Sequence, residues 1–182
     1  MTTPRIPFDQ LPDGLREQLR PRVERLGYLG EFFQVAAHQP DALTHFAAFT
    51  ESLKEALPDR LVEAVALTVA SRTGNDYERV QHERLALALG VDRDEVSALV
   101  SGELDGLDAA TRAAAELAGE VCAARGGSCA AGYERLERRV GPEVAVGCLM
   151  LAGRYLAHAT MANTWGLEPP VESPLDDGAV NV

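Results

Sequence analysis

Apolar positions recur along this chain with the 3.6-residue period of a helix, and no stretch alternates with the two-residue period of a strand. After a lead with prolines at 4, 7 and 12, the residues Leu15, Leu19, Val23 and Leu26 share one face, and Gly27 stands where a helix over 14–26 would stop. A short apolar helix over 29–37 follows. Pro40 with Asp41 opens a helix over 42–57, and Pro58 with Asp59 opens one over 61–71. In a first turn proline has no hydrogen bond to lose and an acid meets the positive end of the helix dipole. Gly74 ends the second of these. Asn75 or Asp76 then caps a helix over 77–89 that closes at Gly90, and Asp92 caps a short one over 93–100. Asp108 caps an alanine-rich helix ending at Ala124, and Gly126 and Gly127 break it. Ser128 opens a helix to Val140, and a long last one runs from Pro142 to about Trp165.

Composition supports the same reading. Alanine supplies 28 residues and aromatics only 5% of the chain, which favours helix over strand, so the expected class is all-α with about eight to nine helices. A chain of 182 residues suits one domain over 1–170, with the loop 101–106 as the boundary if two halves exist, 1–101 and 107–170. The end, 171–182, mixes proline, glycine and acids with few large apolar groups and reads as a flexible tail.

Charge narrows the partners. Seventeen basic against 28 acidic residues leave a net charge of -11, which opposes a phosphate backbone or an anionic bilayer, so neither nucleic acid nor membrane is expected. The apolar stretch after Val144 is interrupted by Arg154 and His158 and is expected not to span a bilayer. The first residues lack the apolar core of a signal peptide, and the expected location is cytoplasmic. Cys122, Cys129 and Cys148 form no CxxC pair and sit in helical apolar patterns, where a free cysteine is a small hydrophobe. His38, His45, His82 and His158 show no metal-ligand spacing, and no glycine-rich phosphate loop is present. No metal and no cofactor are therefore expected.

One constellation stands apart from the scaffold. The run Leu61 to Ala70 is apolar on nearly every face, as a helix buried inside a bundle requires, yet it contains Glu63. That carboxylate is either solvated near the amino end of its helix or buried with a partner. On the next helix Glu78 and His82 are four residues apart and share a face, either as a surface pair or as part of a site. Two helices joined by so short a loop pack antiparallel, which can bring Glu63 to the face carrying Glu78 and His82.

The spacing Glu63-x11-Asn75-x2-Glu78-x3-His82, continuing through Ala86, Leu87, Gly90, Val91, Asp94, Glu95 and Val96, resembles the core of the carboxymuconolactone decarboxylase and alkylhydroperoxidase D superfamily. Arg154-Tyr155 and Ala162 to Leu167 resemble the closing helix of its long members. In the peroxidase branch a Glu, two Cys and a His stand at this spacing, and the Glu and His relay protons to the thiols. Here Asn75 and Glu78 occupy the cysteine positions, and Tyr77 a position where a second His often stands, so the chain looks like a cysteine-less subgroup. The resemblance implies an alkylhydroperoxidase D-like helical bundle and a homo-oligomer, as a dimer, trimer or hexamer. Peroxide reduction needs a thiolate and a resolving thiol, which Asn75 and Glu78 cannot supply. A phenol, an imidazole and two carboxyl groups are equipment for proton transfer. The expected function is a cofactor-free lyase or isomerase, in one form a decarboxylase, acting on a small organic acid, lactone or biosynthetic intermediate. His82, Glu63 and Glu78 are its catalytic residues, and Tyr77 and Asn75 contact the substrate. The alternatives are a non-catalytic ligand- or protein-binding protein of the same fold and, behind it, a thiol-dependent peroxidase.

Overall fold

The computed structural model describes residues 3–176, and among these the chain is all-α. It has α1 (Asp13–Leu26), α2 (Glu31–Ala36), α3 (Pro40–Ala56), α4 (Asp59–Arg72), α5 (Asp76–Ala88), α6 (Arg93–Ser101), α7 (Ala109–Ala124), α8 (Ala130–Val140) and α9 (Pro142–Trp165). Two single 3-10 turns, Phe8–Gln10 and Leu104–Gly106, complete the order. The expected starts and stops are largely used. Asp108 accepts hydrogen bonds from the N–H groups of Ala110 and Thr111, and Gly27 ends α1 in the left-handed region at φ 81°. Two details differ. Asp92 holds the cap position of α6 without a side-chain cap bond, and the first left-handed residue after α7 is Arg125, at φ 49°, rather than a glycine.

The chain divides into two compact units, Met1–Ser52 and Leu53–Val182, and the loop 101–106 lies within the second. The reason lies in that loop's neighbours. Leu99, Leu104 and Leu107 pack with Ala64, Leu67, Ala86, Val96 and Ala115 in one apolar cluster, which ties both sides of the loop together. The first unit is organised by Phe32, whose ring meets Phe33 edge-on at 5.6 Å, and by Arg22, whose guanidinium covers Phe33 at 4.7 Å. The Gln18 side chain donates to the Thr44 carbonyl at 3.0 Å and joins α1 to α3.

In the second unit α4 is central, packed against α5, α6, α7 and α9. Every residue from Leu61 to Ala70 is buried, as an all-round apolar helix requires. Arg60, at its start, pairs with Glu95 of α6. Helices α7, α8 and α9 pack on one another.

The reading of α9 needs a correction. Its 24 residues contain an 18-residue window with a mean hydropathy of 1.3, so by length and composition it is apolar enough to cross a membrane. Arg154 and His158 do not offset the Leu, Val, Cys, Met and Ala around them. Packing accounts for part of that apolarity, since 44% of the window is buried, with Ala145, Cys148, Leu151, Ala152, Ala159 and Ala162 in the unit's core. At the end of the chain, Ser173 is buried and its hydroxyl donates to the Glu83 carboxylate at 2.6 Å, while Arg93 donates to the carbonyls of Pro174 and Leu175. The remainder of the expected flexible tail, 177–182, lies outside the described residues.

Candidate functional site

Helix α4 brings Glu63 and helix α5 brings Tyr77, Glu78 and His82 to the site, and the turn between the two helices fixes their register. Asn75 makes that turn work. Its buried side chain accepts a hydrogen bond from the Glu78 N–H at 3.3 Å, so the residue that starts α5 also sets where Glu78 stands. Four residues later, one helical turn on, His82 faces the same way.

Glu63 is 2% exposed and His82 5%, so the solvated reading of Glu63 gives way to the buried one. The His82 Nδ1–H donates to Glu63 Oε2 at 2.7 Å, and His82 Nε2 lies 3.5 Å from Glu78 Oε2. The three residues expected to share a site are thus together, with the imidazole between two carboxylates. Tyr77 is buried beside them, its ring stacked on that of His158 at 6.4 Å. Asn75 is near in sequence, but its Oδ1 serves the helix cap.

The structure adds residues that local spacing did not assign. From α9, His158 Nε2 lies 3.5 Å from Glu78 Oε1 and Arg154 lies 3.9 Å from Glu78 Oε2, both with side chains under a tenth exposed. Tyr155 presents its ring edge-on to His82 at 5.1 Å, and the Arg154 guanidinium lies over the Tyr155 ring at 4.5 Å. A signal existed. Arg154 and His158 are one turn apart on an otherwise apolar helix, which puts both on a single buried face.

Glu78 is the hub, touched by His82, His158 and Arg154. Burial alone would raise its carboxyl, but the charges of His158, His82 and Arg154 and the bond to His82 hold it well below the usual range. Burial would lower the His82 imidazole. Glu63, through charge and hydrogen bond, and then Glu78 reverse this and push it up. The two shifts favour the protonated form of the His82 imidazole and the ionised form of Glu78. Among the described residues, no group of three His, Cys, Asp or Glu is disposed to hold a metal ion.

These shifts predict a pH window for stability. Glu78 is depressed, so its contribution is complete above its ordinary value of 4.5 and fades as the pH falls through its folded value. His82 is raised, so its contribution is complete below 6.5 and fades as the pH rises through its folded value. The part of the melting temperature that depends on this site should be greatest between these two values. Thermal melts across pH 4 to 9 on the chain and on His82→Gln check it, since the variant should lose the decline on the alkaline side. A decline of equal size in the variant would show that other groups cause it.

The sequence model of the carboxymuconolactone decarboxylase family matches residues 40–120, the stretch holding Glu63, Asn75, Glu78 and His82. No curated protein matches the chain. Several solved structures share its fold. An uncharacterized peroxidase-related protein from Silicibacter sp. TM1040 is 22% identical, with 94% of this chain and 93% of that one covered at a TM-score of 0.79. The alkylhydroperoxidase AhpD core of a peroxidase-related protein from Ralstonia eutropha JMP134 is 23% identical, covering 91% and 90% at 0.77. A variant of the debrominase Bmp8 in complex with 2,3,4-tribromopyrrole is 20% identical, covering 92% of both chains at 0.74. At these identities the likeness is one of fold.

Proposed function

From the premise that this chain belongs, through residues 40–120, to the carboxymuconolactone decarboxylase family, we propose that it is a cofactor-free acid/base enzyme. Its substrate is a small organic acid or lactone, and its reaction a lyase or isomerase step. The observation that carries this reading is the buried bond from His82 Nδ1–H to Glu63, with Nε2 turned toward Glu78. A carboxylate on one ring nitrogen fixes the orientation of the ring and steadies its protonated form, which leaves the other nitrogen to exchange a proton with substrate. In this reading His82 donates a proton to an oxygen or carbon of the substrate as negative charge develops there, and regains it in the return step. Glu63 orients it throughout. Glu78 is the second carboxylate, kept ionised by its cationic neighbours, and Arg154 supplies a buried cation beside the position a substrate carboxylate would take. Tyr77 lines the same site, and Asn75 acts by placing Glu78.

Two of the three thiols give no support to peroxide reduction. Burial pushes the Cys148 thiol up to about 11 and raises that of Cys122, so both resist forming the reactive thiolate. A debrominase of this fold that holds 2,3,4-tribromopyrrole supports a small cyclic molecule as the kind of ligand this architecture accepts. The homo-oligomer implied by the family has a surface available, since Val146, Leu149 and Met150 stand exposed together on α9.

Proton transfer at carbon is read by incubating the protein in D2O with a panel of small lactones and cyclic oxo acids and following deuterium uptake by NMR. The expected result is enzyme-dependent uptake next to a carbonyl in at least one compound, absent with His82→Gln. No uptake, or uptake that survives the substitution, would overturn the reading. The chain would then be a binding protein whose Glu63–His82 pair is structural.

A further inference from the structure

A second feature is independent of the site above. The chain carries 28 acidic and 17 basic residues, yet one cleft of about 410 Å³ between α7 and α8 is lined by Arg112, Arg135, Arg138 and Arg139. The acids nearby do not balance them. Glu116, which lines the cleft, lies 3.4 Å from Arg135, and Glu120 also pairs with Arg135, so those two are spent on one arginine. Arg138 has Glu134 at 3.9 Å, with both side chains about two-thirds exposed, a contact of little energy. Arg112 and Arg139 have no ion-pair partner among the described residues.

Helix geometry explains only part of this. Arg138 and Arg139 occupy the last turn of α8, where the dipole favours cations. Arg112 is the fourth residue of α7, in the first turn, where the dipole disfavours a cation, and it faces the same cleft. The cap of that helix does not neutralise it. The Asp108 carboxylate bonds to Ala110, Thr111 and the Thr111 hydroxyl and lies 3.6 Å from Arg60. Arg112 and Arg139, without ion-pair partners, and Arg138, with one weak partner, line one cleft and repel one another, and a bound anion reduces that repulsion.

We propose that this cleft binds the phosphoryl or pyrophosphoryl group of a small molecule. Guanidinium forks pair with oxyanion edges, and a monocarboxylate offers one edge where phosphoryl groups present several. A compact anion feels the local field of the arginines within a screening length, whereas a nucleic acid or an anionic bilayer also meets the acidic remainder of the surface. An adjoining cleft of about 410 Å³ shares Glu116 and Arg135 with the first and gives room for an organic part. Its walls include Leu99, Leu104 and Ala115 together with Thr68, a buried residue whose hydroxyl has no hydrogen-bond partner among the described residues.

The test is calorimetric titration of the whole chain with sodium pyrophosphate at low salt. Saturable binding is expected, weakened about tenfold or more by Arg112→Gln and again by Arg139→Gln, and weakened further by added chloride. Arg139 is exposed at the end of α8, so Arg139→Gln carries the test if Arg112→Gln fails to fold. No saturable heat up to about 10 mM pyrophosphate, or an affinity that both substitutions leave unchanged, would overturn the proposal. So would association with phosphatidate vesicles or an oligonucleotide that pyrophosphate does not displace, which would assign the arginines to a membrane or a nucleic acid.

Discussion

Replacing His82 by Ala is expected to lower turnover by about a hundredfold or more, the usual scale for a positioned acid or base, and Glu63→Gln by a comparable factor. The two losses should not multiply. His82 and Glu63 act through one hydrogen bond, at 2.7 Å in a buried setting, so once either is gone the other has nothing left to orient or to be oriented by. The double variant should therefore be little slower than the worse single one. Steady-state rates on the substrate found by deuterium exchange measure this, with circular dichroism to confirm folding. Multiplicative losses would mean that the two side chains contribute separately, and the dyad would have to be abandoned.

The second large effect falls on stability. Glu78→Leu removes the one carboxylate that touches His82, His158 and Arg154 together. Deleting one partner of a fully buried ionic group costs about 3 to 5 kcal/mol, and because the Glu78 side chain is 15% exposed while those of Arg154 and His158 are under a tenth, a loss near the low end is expected. Urea denaturation should show a midpoint lowered accordingly, with Glu78→Gln falling between the two because it keeps shape and hydrogen bonding without charge. An exposed acid on α1, such as Glu24, should give no measurable shift when changed to Ala. Equal small shifts at both positions would place Glu78 in an environment far wetter than its contacts indicate.

How much of this was legible beforehand depends on the range over which each feature is decided. The burial of α4 followed from Leu61 to Ala70 alone, because a helix without a polar face has nowhere to go but inside. The caps at Asn75 and Asp108 are local hydrogen bonds and were visible as residue types in place. The meeting of Glu63 with His82 required only that two helices with a short connection pack together. Arg154 and His158 were a different matter. They stand more than 70 positions beyond Glu78, and nothing within α9 says which helix its polar pair will face. The loop 101–106 is a related case. Its glycines and acids mark a break in helix, but Leu99, Leu104 and Leu107 on and around it belong to one core, so a break in secondary structure is not a break between units. In α9, likewise, Arg154 and His158 interrupt the apolar stretch, yet the mean hydropathy over 18 residues still reaches 1.3, because two charges weigh little in an average.

The Asn75–Glu78 pair has an evolutionary consequence. In the peroxidase branch that the sequence resembles, cysteines stand at these two positions, so on paper two substitutions separate this chain from that pattern. In this chain the first would delete the cap of α5, and the second would strip Arg154, His82 and His158 of their shared counter-charge. A thiol at 75 costs about 0.5 to 2 kcal/mol of cap energy, and one at 78 leaves Arg154 and His158 of α9 without the carboxylate they share. The two arrangements are therefore separated by a barrier of stability, since each single replacement removes a contact of the present one. A lineage would have to cross it by altering both helices together, or by acquiring stability elsewhere first.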